Sequence, residues 1–224
     1  MTNPISFPTQ SGRETQGAIS LPQTERSPAV VLLQEYWGLN DHVRHLAERL
    51  ADEGFVVLAP DLYDGKSTKD GAEAAKMMQA LDPAATLDKI AGAVQHLATH
   101  ARTTGKVGVT GFCMGGAYAF TAAAIVPGVA AAVPFYGFPD RTKVDLGAIT
   151  CPVQAHFAKT DPWAKPALAE TLRDELVAKG RKMELYVYDA QHAFMNDTRP
   201  EVYSPDDAKL AWGRMVAFFK ANLA

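Results

Sequence analysis

Cysteine is scarce in this chain: Cys113 and Cys151 are the only two in 224 residues, and no CxxC pair is present. Two thiols cannot form the disulfide framework of a small secreted scaffold, so a reducing cytoplasm is the expected setting. Long apolar runs are missing too. No window approaches the roughly 20 apolar residues that a spanning helix needs, so no membrane partner is expected. Neither sign of charge predominates, with 22 Lys and Arg against 25 Asp and Glu, a net of -3. Without a basic stripe there is no footprint for nucleic acid. No His, Cys and Asp cluster has ligand spacing, so neither a metal nor another cofactor is expected. The opening MTNPISFPTQSGRETQG has neither the basic start nor the apolar core of a secretory signal.

What is present is ordinary globular material. Hydrophobic residues make up 47% of the chain, enough for a well-developed core in one domain over 1–224. Short apolar β-rich runs alternate with helical stretches. Residues 29–34 (AVVLLQ), 55–59 (FVVLA), 106–110 (KVGVT), 130–135 and 153–158 read as buried strands, and 183–188 (MELYVY) alternates as an edge strand does. Residues 17–21 suggest a leading strand at the other edge. Helices are expected over 41–53, from an Asp82 cap with Pro83 at the first position, over 117–126, over 166–179, and from Ser204 to about 222. Such alternation predicts an α/β class, a mostly parallel central sheet with helices on both faces. Ligands of such sheets bind beyond the carboxyl ends of the strands.

The chemistry-bearing residues stand at those ends. Gly111-Phe112-Cys113-Met114-Gly115-Gly116 follows a strand and opens a helix, the G-x-nucleophile-x-G elbow of α/β-hydrolases with cysteine at its centre. The elbow aims the backbone N–H of Met114 at the place where an oxyanion would form. A thiol nucleophile needs a base, and the base an orienting acid. In the order this fold uses, Asp161 (AKTDPW) and then His192 (DAQHAFMN) follow the next strands. Asp189 is the rival acid, three residues from His192. His42, His45, His96 and His100 lie on predicted helices and His156 within a strand. Glu35 (QEYWG) ends an early strand above the sheet, and Tyr36 after it sits where this fold finds its second oxyanion N–H.

Together QEYWG, APDLYDG, GFCMGG, KTDPW and HAF resemble the dienelactone hydrolase family of α/β-hydrolases over nearly the whole chain. The resemblance implies a Cys113–His192–Asp161 triad and an oxyanion hole from the Met114 and Tyr36 N–H groups. It also implies that Glu35 pairs with the resting thiol until substrate displaces it, which protects the sulfur from oxidation and alkylation. The family's type members hold a substrate carboxylate with two arginines. Here Asn196 stands four residues after His192, the other segment offers Lys66, Lys69 and Lys76, and Arg199 is displaced by three. Trp37, Tyr36, Tyr136, Trp163 and Phe194 could line an aromatic pocket for an ester or lactone, with Asn196 as a further substrate contact. The activity expected is hydrolysis of an ester or lactone through a cysteine acyl-thioester, by a monomer or small homo-oligomer. The alternative is a non-catalytic small-molecule sensor of the same fold. Redox work by Cys113 lacks a resolving partner, since Cys151 before Pro152 reads as structural.

Overall fold

Apolar residues that fill both faces of a strand need helices above and below it, and the chain supplies them in turn. The computed structural model describes residues 1–224. Its elements are β1 (Thr2–Pro8), β2 (Glu14–Ser20), β3 (Ser27–Leu33), α1 (Asp41–Asp52), β4 (Val56–Pro60), α2 (Gly71–Gln79), α3 (Pro83–Thr99) and β5 (Thr103–Phe112). Then come α4 (Met114–Ile125), β6 (Val129–Phe135), β7 (Val153–Ala158), α5 (Pro166–Ala178), β8 (Met183–Tyr188) and α6 (Pro205–Leu223). The eight strands form one sheet in the order β1-β2-β4-β3-β5-β6-β7-β8. Pairs from β4 to β8 are parallel, whereas β1 and β2 run antiparallel to their neighbours. This is the mostly parallel sheet that the alternation predicts, in the α/β-hydrolase architecture that the elbow and the resemblance imply. No helix is long and apolar enough to cross a membrane.

Period-two alternation divides the core. On β3, Val30 and Leu32 face α1 and α6, joining Leu46, Leu50, Trp212, Met215 and Phe219. Val31 and Leu33 face the other side, with Ile90, Val94 and Leu97 of α3 and Ala119 of α4. At β7 this second layer continues, with Phe157 of the strand meeting Phe120 of α4 and Leu172 and Leu176 of α5. Helix starts follow the expected chemistry in two places. Asp82 accepts from the Ala85 N–H at 2.9 Å, and Asn40 from the Val43 N–H at 3.1 Å.

Three local expectations need correction. Residues 17–21 do not form the edge: β2 is covered by β1, which pairs with it from Thr2↔Ser20 to Pro8↔Glu14. The strand expected over 55–59 runs instead from Val56 to Pro60, which pairs with Gly17 of β2. Ser204 does not cap α6 through its side chain, because its hydroxyl donates to Asp207 Oδ2 at 2.7 Å.

The strand β1 is held by a backbone contact to α3. A Cβ on Gly92 would lie 2.5 Å from the carbonyl oxygen of Pro8 and from Thr9 Cα, closer than any real Cβ approaches. In an exposed helix Gly→Ala stabilises by about 1 kcal/mol; here the overlap with backbone should outweigh that. Gly92→Ala is expected to lower stability by about 1–3 kcal/mol, read from urea unfolding. Gly213→Ala on α6, where nothing lies within 4 Å, should leave stability unchanged or raise it by up to about 1 kcal/mol.

Candidate active site

The sharp turn from β5 into α4 is built by close backbone approach. A side chain at Gly111 would overlap the Gly115 carbonyl, one at Gly115 the Leu33 carbonyl, and one at Gly116 the Phe135 carbonyl. Cys113 between them has φ 56 and ψ -115 and stands at the N-cap of α4. A non-glycine residue held at positive φ costs of order 1–3 kcal/mol and persists only where its surroundings over-determine it. Here they do. The Cys113 N–H donates to the Phe135 carbonyl at 3.1 Å, its carbonyl accepts from Ala117 N–H at 3.1 Å, and Gly137 leaves room against that carbonyl.

The thiol therefore sits above the sheet, at the positive end of a helix, and the Met114 N–H lies against the sulfur. Neither the Met114 nor the Tyr36 N–H donates to a backbone carbonyl, so both remain available. Burial nonetheless pushes the thiol up to about 12, with the Glu35 charge adding to the effect and Arg199 opposing it.

Asp161 and His192 meet although 31 residues separate them. His192 Nδ1 lies 2.6 Å from Asp161 Oδ2. A carboxylate oxygen only accepts, so Nδ1 carries a proton toward Asp161, which leaves Nε2 as the ring nitrogen turned away from the acid. The other oxygen, Oδ1, accepts from the Trp163 and Ala164 N–H groups at 2.8 and 2.9 Å. Tyr136 and Trp163 present T-shaped contacts to the imidazole at 5.2 and 5.0 Å. The rival Asp189 is not in this site: its carboxylate is exposed and faces Lys159 Nζ at 3.6 Å.

Glu35 is buried and accepts from Asn196 Nδ2 at 2.7 Å. Burial raises its carboxyl above the ordinary range, against the pull of that hydrogen bond and of the His192 and Arg199 charges. Arg199, on the same segment as Asn196, stacks over the Trp37 ring at 5.5 Å and pairs with Glu201 at 2.7 Å.

Three residues expected to contact substrate are placed otherwise. Tyr136 and Phe194 are packed into the core, and the Asn196 amide is spent on Glu35 and Thr198. Trp37 and Tyr36 remain partly exposed, against each other at 4.3 Å, and Trp163 is exposed. Sequence reasoning missed Tyr63, in the APDLYDG loop, whose hydroxyl donates to Met114 Sδ at 3.4 Å. That loop is folded by Asp61, which accepts from the Tyr63 and Gly65 N–H groups at 2.9 and 2.6 Å. Its partners are local, so the Asp-x-x-x-Gly spacing was the available signal. A cleft of about 330 Å³ opens between Leu62, Tyr63, Met77 and Leu81, with Lys66 and Lys76 at its rim.

A carboxyl whose folded-state value lies above its unfolded one loses stability for the fold as pH rises through that range and it ionises. Glu35→Gln carries no such penalty. It should therefore melt higher than the parent near pH 8, with the advantage shrinking as pH falls through the carboxylate range. Melting curves across pH check this, and an advantage that grew toward acid would contradict it.

A family model described as the dienelactone hydrolase family matches residues 15–223. "Protein usf" of Aquifex pyrophilus is 34% identical over 223 residues, 96% of each chain. A protein of Aquifex aeolicus named "Putative carboxymethylenebutenolidase" is 33% identical over the same span and coverage. Among solved structures, one described as a "Putative Dienelactone Hydrolase" from Klebsiella pneumoniae superposes with a TM-score of 0.84 at 28% identity, covering 98% of each chain. A match that runs from β2 to the end of α6, with relatives alike over almost their whole length, places this chain in the dienelactone hydrolase family.

Proposed function

We propose that the protein hydrolyses a lactone or ester through an acyl-thioester on Cys113. The observation that carries the reading is the ordered pair His192 Nδ1–Asp161 Oδ2 at 2.6 Å, beside a cysteine held at positive φ on the helix end. His192 Nε2 takes the Cys113 proton as the sulfur attacks the substrate carbonyl carbon, forming a C–S bond. The carbonyl π pair moves onto oxygen, where the Met114 and Tyr36 N–H groups stabilise it. When the pair returns, the C–O bond breaks and His192 returns its proton to the departing oxygen, which in a lactone stays tethered to the acyl group. Water then attacks the thioester with His192 as base, releasing a carboxylic acid and restoring the thiol. Asp161 keeps the imidazole in the required tautomer and steadies the imidazolium.

The resting enzyme is the quiet member of this cycle. Glu35 places negative charge near the sulfur, and a second negative charge there is disfavoured. Burial and the Glu35 charge both act to raise the thiol and so favour its protonated form. A substrate carbonyl that displaces Glu35 and brings its own dipole to the oxyanion N–H groups removes that suppression. The Aquifex aeolicus relative's name, and that of a Bradyrhizobium relative called a "Probable 2-oxo-3-(5-oxofuran-2-ylidene)propanoate lactonase" at 29% identity over 89% of this chain, favour lactone-type substrates. The cleft beside Tyr63, whose hydroxyl meets Met114, offers a space for the non-reacting body of such a molecule.

Turnover of cis-dienelactone and a panel of activated esters tests the reading. Cys113→Ala should lose turnover with the melting temperature nearly unchanged, His192→Ala should fall by several powers of ten, and Asp161→Asn by less. Full activity of Cys113→Ala beside a dead Cys151→Ala would overturn it.

A further inference from the structure

Asn196 is buried, and every polar atom of its amide is committed. Nδ2 donates to Glu35 Oε2 at 2.7 Å. Oδ1 accepts from Thr198 Oγ1 at 2.6 Å and from the Thr198 N–H at 3.1 Å. These two acceptor bonds fix which way the amide faces. Turned over, it would set oxygen against the Glu35 carboxylate and leave both Thr198 donors facing an NH₂ group.

Glu35 has few other partners. The Tyr136 hydroxyl beside it is buried without a hydrogen bond of good geometry. Around the carboxylate the charged or titratable groups are His192, Arg199, Tyr136, Tyr36 and Cys113. Arg199 stacks on Trp37 and pairs with Glu201, so it acts on Glu35 only across space. Asn196 thus donates the one well-formed side-chain hydrogen bond to Glu35, across 161 residues of sequence, with the Tyr136 hydroxyl a weaker neighbour of the carboxylate.

We propose that Asn196 is a positioning residue that anchors Glu35 beside the Cys113 thiol, so that the reactivity of the resting thiol depends on Asn196 through Glu35. The inference rests on the reading of Glu35 given above. Loss of the anchor acts in one direction by either route. A carboxyl without its donor takes up a proton more readily, and one without its tether can swing away. Each outcome removes negative charge from beside the sulfur. A buried hydrogen bond to a charged group is strong enough to shift a neighbouring equilibrium by about tenfold.

The test is the rate of iodoacetamide labelling of the free protein near pH 7, read at Cys113 by peptide mass spectrometry so that Cys151 is counted separately. Asn196→Ala should label about three- to tenfold faster than the parent, in the same direction as Glu35→Gln. The double variant should label within about twofold of Glu35→Gln alone, because an anchor with nothing to hold has no effect. Thr198→Val, which removes the hydroxyl bond to Asn196 Oδ1 and leaves only the backbone N–H at 3.1 Å to orient the amide, should fall between the parent and Asn196→Ala. If Asn196→Ala does not fold, Thr198→Val alone and on Glu35→Gln decides by the same comparison. Labelling of Asn196→Ala at the parent rate, or a gain that persists undiminished on the Glu35→Gln background, would overturn the anchor while leaving the Glu35 reading intact. Labelling of Glu35→Gln at the parent rate would overturn that reading itself.

Discussion

The active-site region depends on how closely three pieces of backbone approach one another at the end of β5. Gly111, Gly115, Gly116 and Gly137 are each in contact with a carbonyl that a Cβ would overlap. Removing four side chains lets β3, β5, β6 and the start of α4 converge within a space that any other residue would wedge open. The convergence then forces Cys113 into a conformation it would not choose, and points its sulfur away from the sheet. Much of the site follows from that geometry. The proposed oxyanion donors are the N–H groups nearest the turn and after β3, and the proposed base arrives from the loop after β8.

Two buried carboxylates are treated differently within a few residues of this thiol. Asp161 receives two backbone N–H bonds on one oxygen and the imidazole on the other. Glu35 receives a single side-chain amide, and burial pushes its carboxyl upward. A charge solvated by three donors is at rest, whereas one solvated by a single neutral donor is easily exchanged. Beneath them His156 is pushed down to about 3 by burial and stays neutral. It stacks on Phe135 at 4.4 Å and is bonded to Tyr188 and Gln154. Its carbonyl accepts from the Tyr136 N–H at 2.7 Å. His156 is thus fixed by a polar network whose charges, Glu184 and Arg214, lie one bond further out on Gln154 and Tyr188.

Legibility in the sequence followed the range of the forces involved. MELYVY was legible as β8 to the residue, because alternation at an edge is a local pattern, and Asp82-Pro83 marked the start of α3 for the same reason. The strand β1 was not legible. TNPISFP carries two prolines and no apolar run, and becomes a strand only because an antiparallel edge tolerates proline. The helix α2 buries only Ala74, so it shows no stripe. At the site, Asp161 and His192 could be paired by chain order and strand ends. The aromatic set could not be sorted, since a pocket wall and a core layer draw on the same residue types. Tyr136 and Phe194 proved to be core. The Asn196–Glu35 hydrogen bond was not legible for a different reason: the two residues lie 161 positions apart, which no spacing reveals.

The stretch from His192 to Arg199 has an implication for anyone who would redesign this scaffold. Within eight positions it carries the imidazole, the Phe194 core plug, the Glu35 partner, an Asp197 that meets His42 at 3.2 Å, and the guanidinium over Trp37. Functions that are usually separable are strung here on one thread. A library that randomised this loop to alter substrate preference would sample mainly broken bases and loosened cores. The α2 side is the freer canvas. A Cβ added at Gly71 would meet Tyr36 and Trp37 only at ordinary van der Waals distance, 3.8 and 4.0 Å, and α2 itself is largely exposed. Selectivity can be rewritten there while the reacting groups keep their places.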